Sequence, residues 1–148
     1  MEPTILYEDR DILVVNKPAG MLVHALSLKS ERAQSKPAEQ TLADWLVKRY
    51  PEVRGVGDNP ERRPGIVHRL DRATSGVMLA ARTDRSFAFL KKQFQDHAVQ
   101  KTYLALVHGK VFPRKGGIER PIGLRSGSVK RTVWVKDAKL VKEAKTFY

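Results

Sequence analysis

The stretch Ile66–Leu79 reads IVHRLDRATSGVML. Between two apolar runs it packs His68, Arg69, Asp71, Arg72, Thr74 and Ser75. A turn between strands needs one or two special residues, so this density of polar groups asks for another explanation. Asp71 is the residue that could do chemistry. A carboxylate can attack an electrophilic carbon or remove a proton. Arg69 and Arg72 are close enough in sequence to favour its ionised form. Thr74 and Ser75 can tie the loop's own backbone, and Gly76 permits a tight exit. The competing reading is an Asx-turn carrying a surface ion pair.

Other chemistries lack their residues. Gly109-Lys110 is followed by Val111, so a phosphate-binding GK[ST] loop is absent. There is no HExxH and no histidine pair at metal-ligand spacing, so no metal is expected. No GxSxG elbow supports a hydrolytic serine. The absence of cysteine excludes disulfides and thiolate metal sites. Residues 1–7 show no basic stretch leading into an apolar one, and no apolar run approaches a bilayer span. The resulting expectation is a cytoplasmic protein.

Charge points to a partner. The 148 residues hold 28 Lys and Arg against 16 Asp and Glu, a net of +12. Residues 110–148 hold 11 basic and 3 acidic side chains, so +8 of that excess lies in this segment. A basic surface concentrated in one region suits a polyanion, because each phosphate contact releases condensed counterions. Arg125, Lys130 and Arg131 are its candidate phosphate ligands.

The elements that would position these residues follow from pattern. Ile5–Tyr7 and Ile12–Val15 read as a hairpin around a polar turn, after which Pro18 and Gly20 break the strand. Residues 27–40 read as a loop. Thr41 can cap a helix in which Leu42, Trp45 and Leu46 share a face, and residues 51–64, with three prolines and two glycines, read as a flexible loop. Residues 65–70 and 76–81 are expected as strands flanking the polar cluster. Thr83 or Asp84 caps a second helix with Phe87, Leu90 and Phe94 inward. Residues 99–107 alternate as a strand, and 132–135 and 145–148 are further strand candidates. The fold class is α+β: a mixed, largely antiparallel sheet with packed helices.

The cluster His68–Gly76, HRLDRATSG, resembles the HRLDxxTSG signature of the RluA-type pseudouridine synthases at every fixed position. Leu13–His24 (LVVNKPAGMLVH) resembles that family's first motif. Lys101–Gly109 (KTYLALVHG) resembles its tyrosine-bearing segment, and Lys142–Tyr148 (KEAKTFY) a later one. The resemblance implies isomerisation of uridine to pseudouridine in ribosomal or transfer RNA, without cofactor or metal. It implies that Asp71 attacks C1′ or takes a proton from C2′, two routes that stay open here. It implies that Arg69 fills the space left by the flipped-out nucleotide. It implies that Tyr103 stacks on the uracil and takes the C5 proton; without it, a phenol on an alternating strand reads equally as core. Arg72 and Lys17 join the expected RNA contacts, although Lys17 and His24 also suit structural roles, and His68 suits the satisfaction of backbone groups. Residues 109–148 hold no counterpart of the family's G-R-T-H-Q-I-R-x-H segment, which supplies a cation to the aspartate. The chain is therefore expected to be a partial catalytic domain spanning 1–148, without an S4-like domain and with little activity by itself. A non-catalytic RNA-binding remnant is the alternative. A small hydrolase using Asp71 is a weaker third.

Overall fold

The central strand carries the alternation that a half-buried sheet requires. In β2 (Ile12–Lys17), Leu13, Val15 and Lys17 point inward and are buried, while Asn16 faces solvent. The computed structural model describes residues 2–25, 40–128, 130–136 and 138–148. The loop expected over residues 27–40 lies almost wholly outside these. β1 (Thr4–Glu8) pairs antiparallel with β2, as the hairpin pattern predicts, and β2 pairs antiparallel with β3 (Gly76–Ala81). The β1–β2 turn is closed by Asp9, whose carboxylate accepts from the Asp11 and Ile12 amides at 2.8 Å each.

Both helices begin at reciprocal capping boxes. Thr41 and Asp44 cap α1 (Leu42–Arg49), and Thr83 and Ser86 cap α2 (Asp84–Gln95). Each such cap satisfies orphan amides and is worth about 1 kcal/mol. The Ser86 hydroxyl also donates to the Asp11 carbonyl at 2.6 Å, which fastens the start of α2 to the β1–β2 turn. Leu42, Trp45 and Leu46 from α1, Phe87 and Leu90 from α2, and Leu13, Val15 and Met78 from the sheet form one core.

Two expectations about loops and strands are corrected here. Residues 51–64 are not a plain loop: Pro51–Gly55 is a 3-10 helix, and Val53 and Val56 are core residues. Pro51 starts the turn, where its missing amide costs nothing, and the valines three apart reach one side. Residues 65–70 are not a strand, and pair with β3 by a single bridge, Ile66–Ala80. The same segment also meets two outward amides of β3. Ala81 donates to the Gly65 carbonyl at 2.8 Å and Leu79 to the His68 ring at 2.9 Å.

The chain divides into two compact units, Met1–Lys101 and Thr102–Tyr148. In the second unit, β4 (Gly117–Glu119) pairs with β8 (Lys145–Phe147), in line with the strand expected near the last residues. β5 (Ile122–Arg125) lies between β6 (Arg131–Thr132) and β7 (Ala138–Lys142). The strand expected over 132–135 is reduced to β6, with Val133 and Trp134 exposed. The strand expected over 99–107 does not form, and Leu104 and Leu106 are fully exposed. Alternation alone does not make a strand; it needs a ladder partner, and the described residues supply none there. All strand pairs among the described residues are antiparallel, and the α+β class holds.

Gly65 is where this arrangement is least tolerant. Its φ is +66°, and a Cβ there would lie 2.4 Å from the Ala81 carbonyl oxygen and 2.7 Å from a Val53 methyl. Gly65→Ala should cost about 2–4 kcal/mol, because strain and a backbone clash coincide. Urea unfolding checks this; a loss under about 0.5 kcal/mol would show that the loop relaxes freely.

Candidate active site

The polar cluster sits where β2 ends beside the start of β3, with Lys17 paired opposite Gly76. Pro18 and Gly20 turn the chain back immediately after Lys17, and Gly20 takes a φ of +89° that favours glycine. This turn brings carbonyls onto the Lys17 ammonium. Nζ donates to the Pro18 carbonyl at 3.0 Å, the Met21 carbonyl at 2.9 Å and the Arg72 carbonyl at 3.3 Å. An ammonium has three donors, and three carbonyls take them. The Lys17 side chain has no exposed surface. Lys17, expected among the RNA contacts, is thus turned inward and binds its own chain.

Burial lowers the Lys17 pKa from its ordinary value, and the Asp71 carboxylate opposes that shift. Asp71 itself is exposed, next to the buried Leu70. The loop is held at three further points. The Thr74 amide donates to the Asp71 carbonyl at 3.1 Å, and the Gly20 amide to the Arg72 carbonyl at 2.8 Å. Arg72 Nε donates to the Gly20 carbonyl at 2.9 Å. Lys17, Arg72 and the 18–21 turn thus make one clamp on the segment that carries Asp71, an anchor that the sequence hinted at only through Pro18 and Gly20.

The other expected residues fall as follows. Arg69 is exposed on the same segment, one residue before the buried Leu70. His68 satisfies backbone as expected: its ring accepts the Leu79 amide and stacks on Phe94 at 4.4 Å. Sequence pattern placed Phe94 only on a helix face and gave no sign of this stack. Burial, helped by the charge of Lys101, lowers the His68 pKa to about 4. The His24 ring lies 3.0 Å from the Ala25 carbonyl rather than within a sheet. In the second unit, Tyr103 is exposed and not core. Arg125, Lys130 and Arg131 are exposed around the β5–β6 connection, where the Arg125 amide donates to the Lys130 carbonyl at 3.0 Å. No group of side chains able to hold a metal occurs among the described residues.

The profile of the RNA pseudouridylate synthase family matches residues 11–146. An RNA pseudouridine synthase of Bacillus subtilis is 39% identical over 127 residues, 83% of this chain and 37% of its own length. The ribosomal large subunit pseudouridine synthase D of Zymomonas mobilis is 36% identical over 97% of this chain and 42% of its length. The tRNA pseudouridine synthase C of Haemophilus ducreyi is 40% identical over 82% of this chain and 43% of its length. The chain thus spans about two fifths of the curated relatives it matches. The human RNA pseudouridylate synthase domain containing 1 superposes with a TM-score of 0.71 at 24% identity, over 99% of this chain and 51% of that one. That likeness concerns the fold.

Two outcomes are expected of the clamp and its neighbour. Lys17→Met keeps the bulk but removes the ammonium donor from the Pro18 and Met21 carbonyls and leaves the Arg72 carbonyl to the Gly20 amide, and should destabilise the chain by about 2–4 kcal/mol in denaturant unfolding. A loss under about 0.5 kcal/mol would show that water replaces the ammonium. For His68, the folded pKa of about 4 lies below the ordinary 6.5. The unfolded chain therefore binds the extra proton first, and stability falls as pH drops from about 6.5 to about 4. Discounted for partial solvent screening, the loss is about 1–2 kcal/mol. Thermal melts across this window should slope for the native chain and flatten for His68→Gln; parallel slopes would sink the assignment.

Proposed function

We propose that this chain, which belongs to the RNA pseudouridylate synthase family, carries the aspartate of an enzyme that isomerises uridine to pseudouridine in structured RNA. The observation that carries this reading is the Asp71 loop: an exposed carboxylate on a segment tied down through the Arg72 carbonyl, which accepts from the buried Lys17 ammonium and the Gly20 amide. A reacting group must be displayed and yet fixed, and this loop does both.

In the proposed reaction the C1′–N1 bond breaks, the uracil turns, and C1′ bonds to C5, which then loses its proton. Asp71 either attacks C1′ or removes a proton from C2′ to give a glycal. The target base must leave its stack to be reached. Arg69, exposed beside Asp71, is suited to contact the flipped nucleotide, and Tyr103 is proposed to stack on the uracil and receive the C5 proton. Arg72 adds positive charge on the same loop. Arg125, Lys130 and Arg131 are proposed to hold phosphates. Two of the similar proteins are named for ribosomal and for transfer RNA, and either RNA is a reasonable substrate.

The test is tritium release from C5 of labelled uridine in RNA, run on these 148 residues and on a polypeptide extending them. Asp71→Asn keeps size and hydrogen bonding but removes the anion, and should lower release by roughly 10³-fold or more with RNA affinity little changed. Substantial release from Asp71→Asn would remove Asp71 from the chemistry. RNA binding with no release from either polypeptide would leave a binding module instead.

A further inference from the structure

The second unit carries a concavity that the reaction described above does not use. It has a volume of about 400 Å³ and is lined by Arg125, Ser126, Thr132, Trp134 and Ala138. Its most unusual wall is Trp134, which is 83% exposed. A large ring left in water is a candidate contact surface, because covering it releases ordered water and gains dispersion contacts. The ring is not on a loose end. Its amide donates to Thr132 Oγ1 at 3.1 Å, directly beyond β6. Ala138, also in the lining, packs closely on β5: a Cβ on Gly123 would lie 2.6 Å from the Ala138 methyl, so only glycine lets β7 come this close to β5.

The chemistry of the pocket is specific. Its described lining residues bring one guanidinium, two hydroxyls and one indole, and no carboxylate is among them. Lys130, Arg131, Lys136 and Lys139 are exposed in the same unit, within a segment of net +8. Arg125 is held at the pocket edge by its backbone, paired with Ala138 in β7 and hydrogen-bonded to the Lys130 carbonyl. A flat aromatic face beside a cation, surrounded by further cations, matches an unpaired nucleotide: the base stacks, the phosphate meets the guanidinium, and the hydroxyls reach base or ribose edges. An acidic peptide would satisfy the charge but leave the indole uncovered.

We propose that this pocket binds one unpaired nucleotide of RNA, its base stacked on Trp134 and its phosphate at Arg125. The site holds RNA away from the reacting base, tolerates any base, and does no chemistry. The inference rests on the reading that the partner is RNA.

The chain supplies its own reporter. It has two tryptophans. Trp45 is 5% exposed in the core, so the red edge of the emission belongs to Trp134. The full chain is titrated with short oligouridylate and with an abasic oligomer of equal length and charge, and binding is followed separately by filter retention. Oligouridylate should quench the red edge, while the abasic oligomer binds without quenching. Trp134→Ala should weaken oligouridylate binding roughly 5- to 100-fold and leave abasic binding and its salt dependence unchanged. Trp134→Phe should recover most of the loss. Binding with equal quenching by both oligomers, or unchanged affinity in Trp134→Ala, overturns the stacking site while leaving RNA as the partner. No retention of either oligomer at low salt overturns the RNA reading itself. Equal quenching by polyglutamate at matched charge assigns the pocket to an acidic protein partner and overturns the proposal.

Discussion

The arrangement of the first unit around its polar loop depends on a buried ammonium. Removing a lysine from water is costly unless every donor finds an acceptor. Here the Lys17 side chain at the end of β2 donates to three carbonyls, two from the turn that follows it and one from Arg72, which lies 55 residues later in the chain. That geometry requires Pro18 and Gly20 to reverse the chain and requires the Asp71–Thr74 turn to present its carbonyl inward. Sheet end, turn and loop therefore hold only together. The carboxylate is exposed, while the loop that carries it is tied at the Asp71 and Arg72 carbonyls.

The same economy governs the outer edge of β3. An edge strand presents unmet amides, which either recruit a neighbour or must be covered. Gly65 and His68 cover two of them without forming a strand, the first with a carbonyl and the second with a ring nitrogen. A ring that accepts an amide must be neutral at that nitrogen, in keeping with a pKa lowered to about 4. The segment that carries Asp71 is consequently fixed by one ring, one carbonyl and the buried side chains of Ile66 and Leu70. This leaves Arg69 and Asp71 exposed to solvent.

The second unit follows another logic. Its strands are short, its described side chains are largely exposed, and cations outnumber anions in its sequence. Such a surface is poor at burying apolar area and well suited to meeting phosphates. Trp134 and Arg125 add a flat face and a fork-shaped donor to what is otherwise diffuse charge.

Much was legible in sequence because it depends on local rules. The hairpin around Asp9, both helices with their threonine caps, and the inward faces of α1 and α2 follow from side-chain period and cap chemistry, which act over a few residues. The polar cluster around Asp71 stood out because its composition contradicts an ordinary turn, and its match to a family signature is a property of sequence alone. Tertiary structure decided whatever depends on a partner distant in the chain. Residues 65–70 and 99–107 carry strand-like patterns, yet a strand exists only where another backbone completes its ladder. Val53 and Val56 became core because the rest of the chain offered a cavity to a proline-rich stretch. Lys17 shows the difference most plainly. Its sequence neighbours permit a phosphate-seeking surface cation; the turn after it offers two acceptors, the Pro18 and Met21 carbonyls, and only folding brings the third, the Arg72 carbonyl from 55 residues along the chain, that completes the set for a buried ammonium.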